Sequence, residues 1–341
     1  MRYSSRFFLY APFVLLLALA IGVGLHWRLA AGSLDKRLDA MNGHEAIPGV
    51  TLSFASKSVG GFPFRLDAVF TDFQVRIATP HGPAIWSCEK FALHRLTYGR
   101  AQTIFEAAGK QLLTWTDAAG HIHEFEFVPG SLRADSLDDE KGLARFDLDL
   151  VGLGSPALIA ARLQFHIRRD PAGNDLEIAV EVDKVHLSPR LTTAFGDNID
   201  LMQLNASAVP SAAFENLRAG KAAWPGTLDA WREQGGNLHI DHVEIAWGRL
   251  DANGAGTVAL DQLHRPMGLL NFRIAGMVGF IERAASQGVT KGPGKGIAPA
   301  LLDRAAKAGS DASGHMGAVL GFKDGIAFVG DEPAGTVEPL Y

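Results

Sequence analysis

Hydrophobic and polar positions divide this chain into one uninterrupted apolar run and a much longer remainder in which the two kinds of residue alternate. Residues 7–27 form the apolar run and carry no formal charge at neutral pH. A helix of roughly 20 apolar residues crosses the hydrocarbon core of a bilayer, so this run predicts an N-terminal transmembrane helix. The candidate anchor residues are Phe7, Val14, Leu16, Ile21, Leu25 and Trp27.

Two other interpretations of the apolar run stay open at this point. Ala18 and Ala20 have the spacing of a signal-peptide cleavage site, although apolar sequence continues beyond them. A helix buried in a soluble domain is the third interpretation. Arg2 and Arg6 precede the run, and by the positive-inside rule they hold the N-terminus in the cytoplasm. An anchor and a cleaved signal both predict export of the remaining chain.

Beyond the apolar run, alternation with a period of two predicts antiparallel strands with one wet face. The phase of the alternation changes near Thr71 and Asp72, which indicates a bulge or a tight turn. The hairpin formed by residues 158–168 and 176–182 is the clearest, because a turn containing Pro171 and Gly173 separates two alternating runs. Further strands are predicted at residues 50–54, 66–77, 91–96, 111–116, 121–127, 144–150, 238–247, 250–260, 268–276, 313–322 and 326–329.

Short helices are predicted where the spacing of apolar residues changes to that of a helix. Ser33 can cap the first of them, which extends to about Met41. The other predicted helices cover residues 211–217, 227–234, 277–287 and 299–308. The fold class is therefore mainly β (α+β): a transmembrane helix followed by a large curved antiparallel sheet in two halves, with a few packed helices.

These elements predict six consecutive segments. Residues 1–32 are the anchor, or a signal peptide, and residues 33–44 are a juxtamembrane helix. Residues 45–186 form a β-rich half, residues 187–236 a helical interlude, and residues 237–330 a second β-rich half with helices. Residues 331–341 form an extended tail.

Composition removes several classes of function. The chain has 341 residues, a formal charge of −5 and a single cysteine, Cys88. One cysteine excludes an intrachain disulfide and any multi-cysteine metal site, and the mild acidity argues against nucleic-acid binding. We therefore expect Cys88 to be a small buried residue, and we expect no cofactor.

Candidate chemistry is sparse along the chain. His121 and His123 lie two residues apart on a predicted strand, so both side chains point to one face and could share a metal with a third ligand. A wet sheet face explains them equally well. The acidic residues in 135–140 suggest a solvated loop. Trp224 and Trp231 flank a short helix, where they either pack in a core or mark a contact with a partner or a membrane.

The most distinctive short segment is Gly-Gly-Phe-Pro-Phe-Arg, in which paired glycines allow a sharp turn before a strand. The segment resembles the signature of the bacterial envelope family of unknown function numbered 2125 (DUF2125). A Trp-Gly step, an Arg-Pro-x-Gly step and an Asp-Gly hairpin follow in the order typical of that family. The residues that carry this resemblance are Gly60, Gly61, Phe62, Pro63, Phe64, Arg65, Trp247, Gly248, Arg265, Pro266, Gly268, Asp324 and Gly325.

The resemblance implies a bacterial inner-membrane protein whose bulk lies in the periplasm, and it brings no catalytic residues. The β pattern behind one anchor is more weakly similar to AsmA-like envelope proteins, which are associated with phospholipid handling. We therefore expect a non-enzymatic envelope protein that binds a phospholipid or acyl chain in a curved sheet, where Gly254 and Gly256 help the bending. A scaffold for an envelope protein partner is the alternative, and a metal-assisted hydrolase at His121 and His123 is the second alternative.

Overall fold

A computed structural model describes residues 5–99, 101–117, 119–170, 175–191, 195–276 and 315–340, with side chains from residue 10 onward. The predicted helices at residues 277–287 and 299–308 lie outside this described part of the chain. The apolar run belongs to helix α1, Ser5–Met41. Among the described residues, α1 contains the one helix that is long and apolar enough to cross a membrane. Since a signal sequence meets the same criteria, the structure leaves the choice between anchor and signal open.

Helix α1 continues without a break through the position where a second helix was predicted. Ser33 lies in the interior of α1 and therefore does not cap a separate juxtamembrane helix. Two contacts hold the second half of α1 against the sheet. The Trp27 Nε1 atom donates a hydrogen bond to the Arg65 carbonyl oxygen at 2.6 Å. Further along, the Lys57 ammonium group bonds the Asp35 carbonyl oxygen at 2.9 Å and pairs with the carboxylates of Asp35 and Asp39.

In the described part of the chain, seventeen strands form one antiparallel sheet, and from β4 onward each of these strands pairs with the next one along the chain. The pairing continues through the predicted interlude, where β11 joins β10 to β12. The structure therefore shows one sheet, and a division into two halves is not confirmed. The strands are β1 (His44–Ile47), β2 (Val50–Ser53), β3 (Ser56–Gly60), β4 (Arg65–Ile77), β5 (Ala84–Leu96), β6 (Gln102–Thr116), β7 (Ile122–Asp139), β8 (Gly142–Gly154), β9 (Leu158–Arg169), β10 (Leu176–Leu187), β11 (Asn198–Val209), β12 (Asn237–Trp247), β13 (Leu250–Leu260), β14 (Pro266–Ala275), β15 (His315–Lys323), β16 (Ile326–Val329) and β17 (Glu332–Thr336).

The sheet curls, so that side chains from eight successive strands, β4 to β11, share one apolar core with Leu38 of α1. Its centre is aromatic: the rings of Phe73 and Phe91 stack with centroids 4.2 Å apart. The apolar side of these strands, where an acyl-chain site was expected, is therefore largely occupied by the protein's own core. The predicted change of phase is confirmed as an irregularity in β4, where Asp72 has a positive φ of 51°.

The predicted helical interlude contains strand β11, and the prediction of an acidic loop is also wrong. The residues predicted as an acidic loop, 135–139, lie in strand β7, whose Asp135 faces Gln102 and Arg145. Part of the predicted tail is strand β17, which pairs with β16. The hairpin of β9 and β10 is confirmed, with Ile167 opposite Ile178.

Among the described residues, short helices follow β11 and precede β12. A 3-10 turn, Ser211–Phe214, is followed by α2, Glu215–Arg218, and α3, Trp224–Glu233. Phe214, Leu228 and Trp231 are buried against the ends of β10, β11 and β13, where they form a second apolar cluster. This cluster positions the site described next.

Candidate functional site

A cavity of about 670 Å³ lies between the helical segment and the ends of strands β8 to β14. Its volume is within the range of small-molecule sites, and its walls are apolar except for two arginines. The lining residues are Ile47, Leu143, Ala144, Ile167, Arg168, Leu176, Ile178, Ala208, Phe214, Leu217, Arg218, Gly220, Trp224, Leu228, Trp231, Leu238, Val258, Ala259, Leu260, Pro266 and Leu340.

The aromatic wall of the cavity is held in place by a hydrogen bond and by ring packing. Trp231 is buried, and its Nε1 atom donates to the Val209 carbonyl oxygen at 3.0 Å. The Phe214 ring lies 6.1 Å from Trp231 and 6.3 Å from Trp224. Trp224 is 53% exposed. Of the two predicted alternatives for the tryptophans, core packing therefore holds for Trp231, whereas Trp224 combines a cavity contact with an exposed edge.

Arg218 is the unusual polar group of the cavity wall, because its side chain is only 5% exposed. Its Nε atom donates to the Leu143 carbonyl oxygen, and its Nη2 atom lies 3.2 Å from Asp139 Oδ1. Burial alone would raise the pKa of Asp139, but the Lys141 N–H and the charges of Arg218 and Arg169 lower it. The Nη1 atom has no hydrogen-bond partner among the described residues. A buried donor without an acceptor costs about 1–3 kcal/mol, which an anionic ligand group would relieve.

The Gly-Gly-Phe-Pro-Phe-Arg segment forms the turn between β3 and β4. Gly61 has a φ of +95°, and a Cβ atom there would lie 2.7 Å from the Arg65 carbonyl oxygen, so glycine is required. The side chains of Phe62 and Phe64 point to solvent. The Phe62 ring meets Trp27 of α1 edge-on, with centroids 5.5 Å apart. This turn therefore contacts α1 rather than the apolar cavity.

The later family motifs are turns that contact one another at the end of the sheet. Arg265 precedes Pro266 of β14, and its Nε atom donates to Asp261 Oδ2 at 2.8 Å. The Arg265 guanidinium also lies over Gly325, in the turn that follows Asp324 between β15 and β16.

Close backbone approach explains the motif residue Gly268 and also Gly254, which was predicted to help the sheet to bend. A side chain at Gly268 would meet the Thr257 carbonyl oxygen on β13, and one at Gly254 would meet β14. Trp247 donates to the Gly196 carbonyl oxygen at 3.1 Å, and Gly248 turns the chain into β13 with a positive φ of 62°. These residues shape the sheet, and of the motif residues only Pro266 lines the cavity.

The two histidines predicted on one face do lie together, on either side of Asp117. His123 Nε2 is 2.8 Å and His121 Nδ1 is 3.3 Å from Asp117 Oδ2. The hydrogen bond from His123 and those from His121 lower the pKa of Asp117. Within the described ranges, however, no group of three His, Cys, Asp or Glu side chains is arranged to hold a metal ion.

The sequence matches the profile of one protein family along most of its length. The profile described as "Uncharacterized protein conserved in bacteria (DUF2125)" matches residues 27–338, nearly the whole chain. The chain belongs to the DUF2125 family. The resemblance inferred from the Gly-Phe-Pro-Phe-Arg segment is thereby confirmed, and the match to DUF2125 begins at Trp27, where the apolar run ends. No curated protein and no solved structure matches the chain.

Sequence reasoning missed two residues of the cavity wall: Arg218, its buried polar group, and Phe214, which belongs to its aromatic side. Arg218 and Phe214 stand in a short segment whose helical period was recognised, but nothing in that pattern marks a buried arginine. The available signal was the combination of Phe214, Trp224 and Trp231 within one short helical segment, since so many large rings require a sizeable apolar partner surface.

Proposed function

We propose that this protein is a non-enzymatic, membrane-anchored envelope protein that holds the acyl chain of an anionic lipid in the cavity beneath Phe214 and Trp231. In this proposal α1 spans the bacterial inner membrane, the N-terminus is cytoplasmic and the sheet lies in the periplasm. The single observation that carries the proposal is the apolar cavity of about 670 Å³ with one buried, incompletely bonded arginine.

The chemistry of the walls favours an amphipathic ligand over a wholly apolar or a polar one. Leucine, isoleucine and tryptophan side chains offer contacts to a hydrocarbon chain, and each buried methylene contributes about 0.8 kcal/mol. The Arg218 guanidinium is paired with Asp139, but its free Nη1 atom can still donate a hydrogen bond to a carboxylate or phosphate oxygen. The half-exposed Trp224 gives the cavity an amphipathic edge at which such a ligand can enter.

Photo-cross-linking in proteoliposomes tests the proposal directly. The full chain is reconstituted with an anionic phospholipid that carries a diazirine in its acyl chain, and labelled peptides are located by mass spectrometry. We expect labels on α3 and on the end of β13, in addition to those on α1. Labels confined to α1 would contradict lipid binding and favour the alternative, a scaffold for an envelope protein.

A matched pair of variants on β13 makes the test specific. Ala259→Trp fills the cavity from a half-buried lining position, whereas Ala255→Trp places the same side chain on an exposed position of that strand. Loss of contacts to two or three methylenes costs about 2 kcal/mol, so Ala259→Trp should weaken labelling of the cavity roughly 30-fold. Equal labelling of the two variants, with unchanged thermal unfolding, would contradict the assignment of the site.

A further inference from the structure

Two contacts fix the position of the sheet along α1, and both give the same alignment of the helix with strand β4. Trp27 bonds Arg65 at the start of β4, and Asp39 pairs with Lys57, which lies opposite Phe70 of the same strand. The helical rise between Trp27 and Asp39 is about 18 Å, and the strand rise between Arg65 and Phe70 is about 17 Å. Helix α1 and β4 therefore run side by side, and the turn before Arg65 lies level with Trp27.

Exposed aromatic side chains are concentrated at this level. Phe62 is 61% exposed and its ring lies against Gly24 and Trp27, in the last turn of the apolar run. Phe64 is 53% exposed and contacts Tyr98, which is 60% exposed, edge-on with centroids 6.0 Å apart. We call Phe62, Phe64 and Tyr98 the aromatic foot of the sheet. Exposed rings of this kind, in contact with a membrane helix, are suited to the interface between lipid headgroups and acyl chains.

A cleft of about 440 Å³ lies beside the aromatic foot, between α1 and the turn that joins β5 to β6. Two arginines line it, Arg37 from α1 and Arg95 from β5. Neither forms an ion pair or a side-chain hydrogen bond with any residue that the structure describes. Arg95 lies opposite Leu66, one residue beyond the strand position that Trp27 contacts. Arg95 therefore lies near the end of the apolar run, whereas Arg37 lies ten residues beyond Trp27 on α1 and lines the same cleft from the helix side. Two unpaired guanidinium groups in one cleft offer a site for phosphate groups.

We propose that the aromatic foot inserts into the bilayer surface beside α1, while Arg95 and Arg37 bind the phosphate of an anionic phospholipid in the cleft. The proposal rests on the anchoring of α1 in the membrane, but it is independent of the acyl-chain cavity. The sheet is then attached to the bilayer at two points, α1 and the aromatic foot, and these two contacts fix its orientation relative to the membrane. The occupant of the cleft is a phospholipid of the same bilayer, because the continuity of the foot with α1 places both at one surface.

Fluorescence quenching by nitroxide lipids in nanodiscs tests the insertion. Single cysteines replace Phe64, Leu16 or Ile122 in the full chain with Cys88→Ala, and each is labelled with an environment-sensitive dye. Ile122 is an exposed control at the opposite end of the strands, across from Thr116. We expect lipid-borne nitroxides placed near the headgroups to quench the dye at position 64 and the dye at position 122 to remain unquenched.

The label at position 16 separates failure of the anchor from failure of the foot. Quenching at position 16 without quenching at position 64 overturns the foot and leaves the anchor intact, whereas no quenching at either position overturns both. The contribution of the Arg95 charge to lipid binding is tested with Arg95→Glu. Lys90→Glu is the matched control, because it reverses a charge at an exposed position of the same strand.

Each charge near an anionic surface changes the docked-to-undocked ratio about fivefold. In nanodiscs of anionic lipid, Arg95→Glu should therefore lower the docked-to-undocked ratio at position 64 roughly 25-fold, with little change in uncharged nanodiscs. Lys90→Glu should leave it unchanged. Equal effects of the two reversals, or an Arg95→Glu effect that does not depend on lipid charge, overturn the phosphate site.

Discussion

The carboxylate of Asp261, a half-buried residue in the turn after β13, accepts four hydrogen bonds, and its removal should destabilise the end of the sheet. One carboxylate oxygen accepts from the N–H groups of Leu263 and Arg265, at 2.8 and 2.9 Å. The other accepts from Nε and Nη2 of Arg265, at 2.8 and 2.7 Å. The Arg265 guanidinium held in this way covers Gly325 of the next turn. We therefore choose Asp261→Asn, which keeps the shape and removes the charge.

The expected loss follows from the two bonds to the guanidinium. The asparagine amide has a single acceptor oxygen, and its NH2 group cannot accept the two donors that it would face, so two hydrogen bonds are lost. At about 1 kcal/mol for each bond, Asp261→Asn should lower the free energy of unfolding by about 2 kcal/mol at pH 7. Asp261→Ala also leaves two N–H groups without their acceptor, which brings the loss to about 3–4 kcal/mol. Asp251→Asn, at an exposed position of β13, the strand before this turn, is the matched control and should change stability by less than about 0.5 kcal/mol.

The pH dependence gives a second, independent readout. Burial alone would raise the pKa of Asp261, but the hydrogen bonds from Arg265 and Leu263 lower it below the ordinary value of 3.8. Its contribution to stability is therefore complete above pH 3.8 and is lost as the pH falls through the lowered pKa. Urea unfolding of the full chain in a non-ionic detergent, followed by tryptophan fluorescence, gives the free energy of unfolding of wild type and of Asp261→Asn. The difference between these two free energies should shrink below pH 3.8. A difference that persists unchanged in acid, or none at pH 7, would refute this reasoning.

Three further predictions concern buried groups elsewhere. Lys57→Met removes the ammonium group that holds Asp35 while keeping an apolar stem, so the free energy of unfolding should fall by about 1–2 kcal/mol in urea titrations. Burial raises the pKa of the Cys88 thiol to about 12, so an aromatic disulfide reagent should modify it at pH 8 only after denaturation; prompt reaction of the native protein would contradict this. Trp231→Phe leaves the buried Val209 carbonyl without its donor and should cost about 1–3 kcal/mol, measured by the same titration.

The period of alternation predicted most of the strands, because the face on which a strand residue lies is a local property. It predicted the hairpin of β9 and β10 and the irregularity at Asp72. Strand β11 was missed because the buried positions in its second half are Ala206 and Ala208, which are too small to give a strong apolar signal. The break predicted at Ser33 was wrong because a good capping residue does not end a helix whose neighbouring turns pack against a sheet.

The candidate cavity was beyond prediction, since it depends on how the ends of seven strands converge with α2 and α3. The sequence places Leu143, Arg218 and Leu260 far apart, and only the curvature of the sheet brings them to one wall. The alternation correctly indicated that the strands have an apolar side. In strands β4 to β11, however, the side chains on that side pack against one another and against Leu38 in the protein core.

The strict order of the strands has a consequence for how the chain reaches its folded state. From β4 to β17 each new strand finds its partner in the strand made just before it. Except for the longer connections from β11 to β12 and from β14 to β15, these pairings close small loops and form quickly. The sheet can therefore grow largely hairpin by hairpin as synthesis proceeds from the N-terminus. Growth ends at β17, a short strand that carries Pro333. Because proline has no N–H to donate, it makes this edge a poor template for another chain.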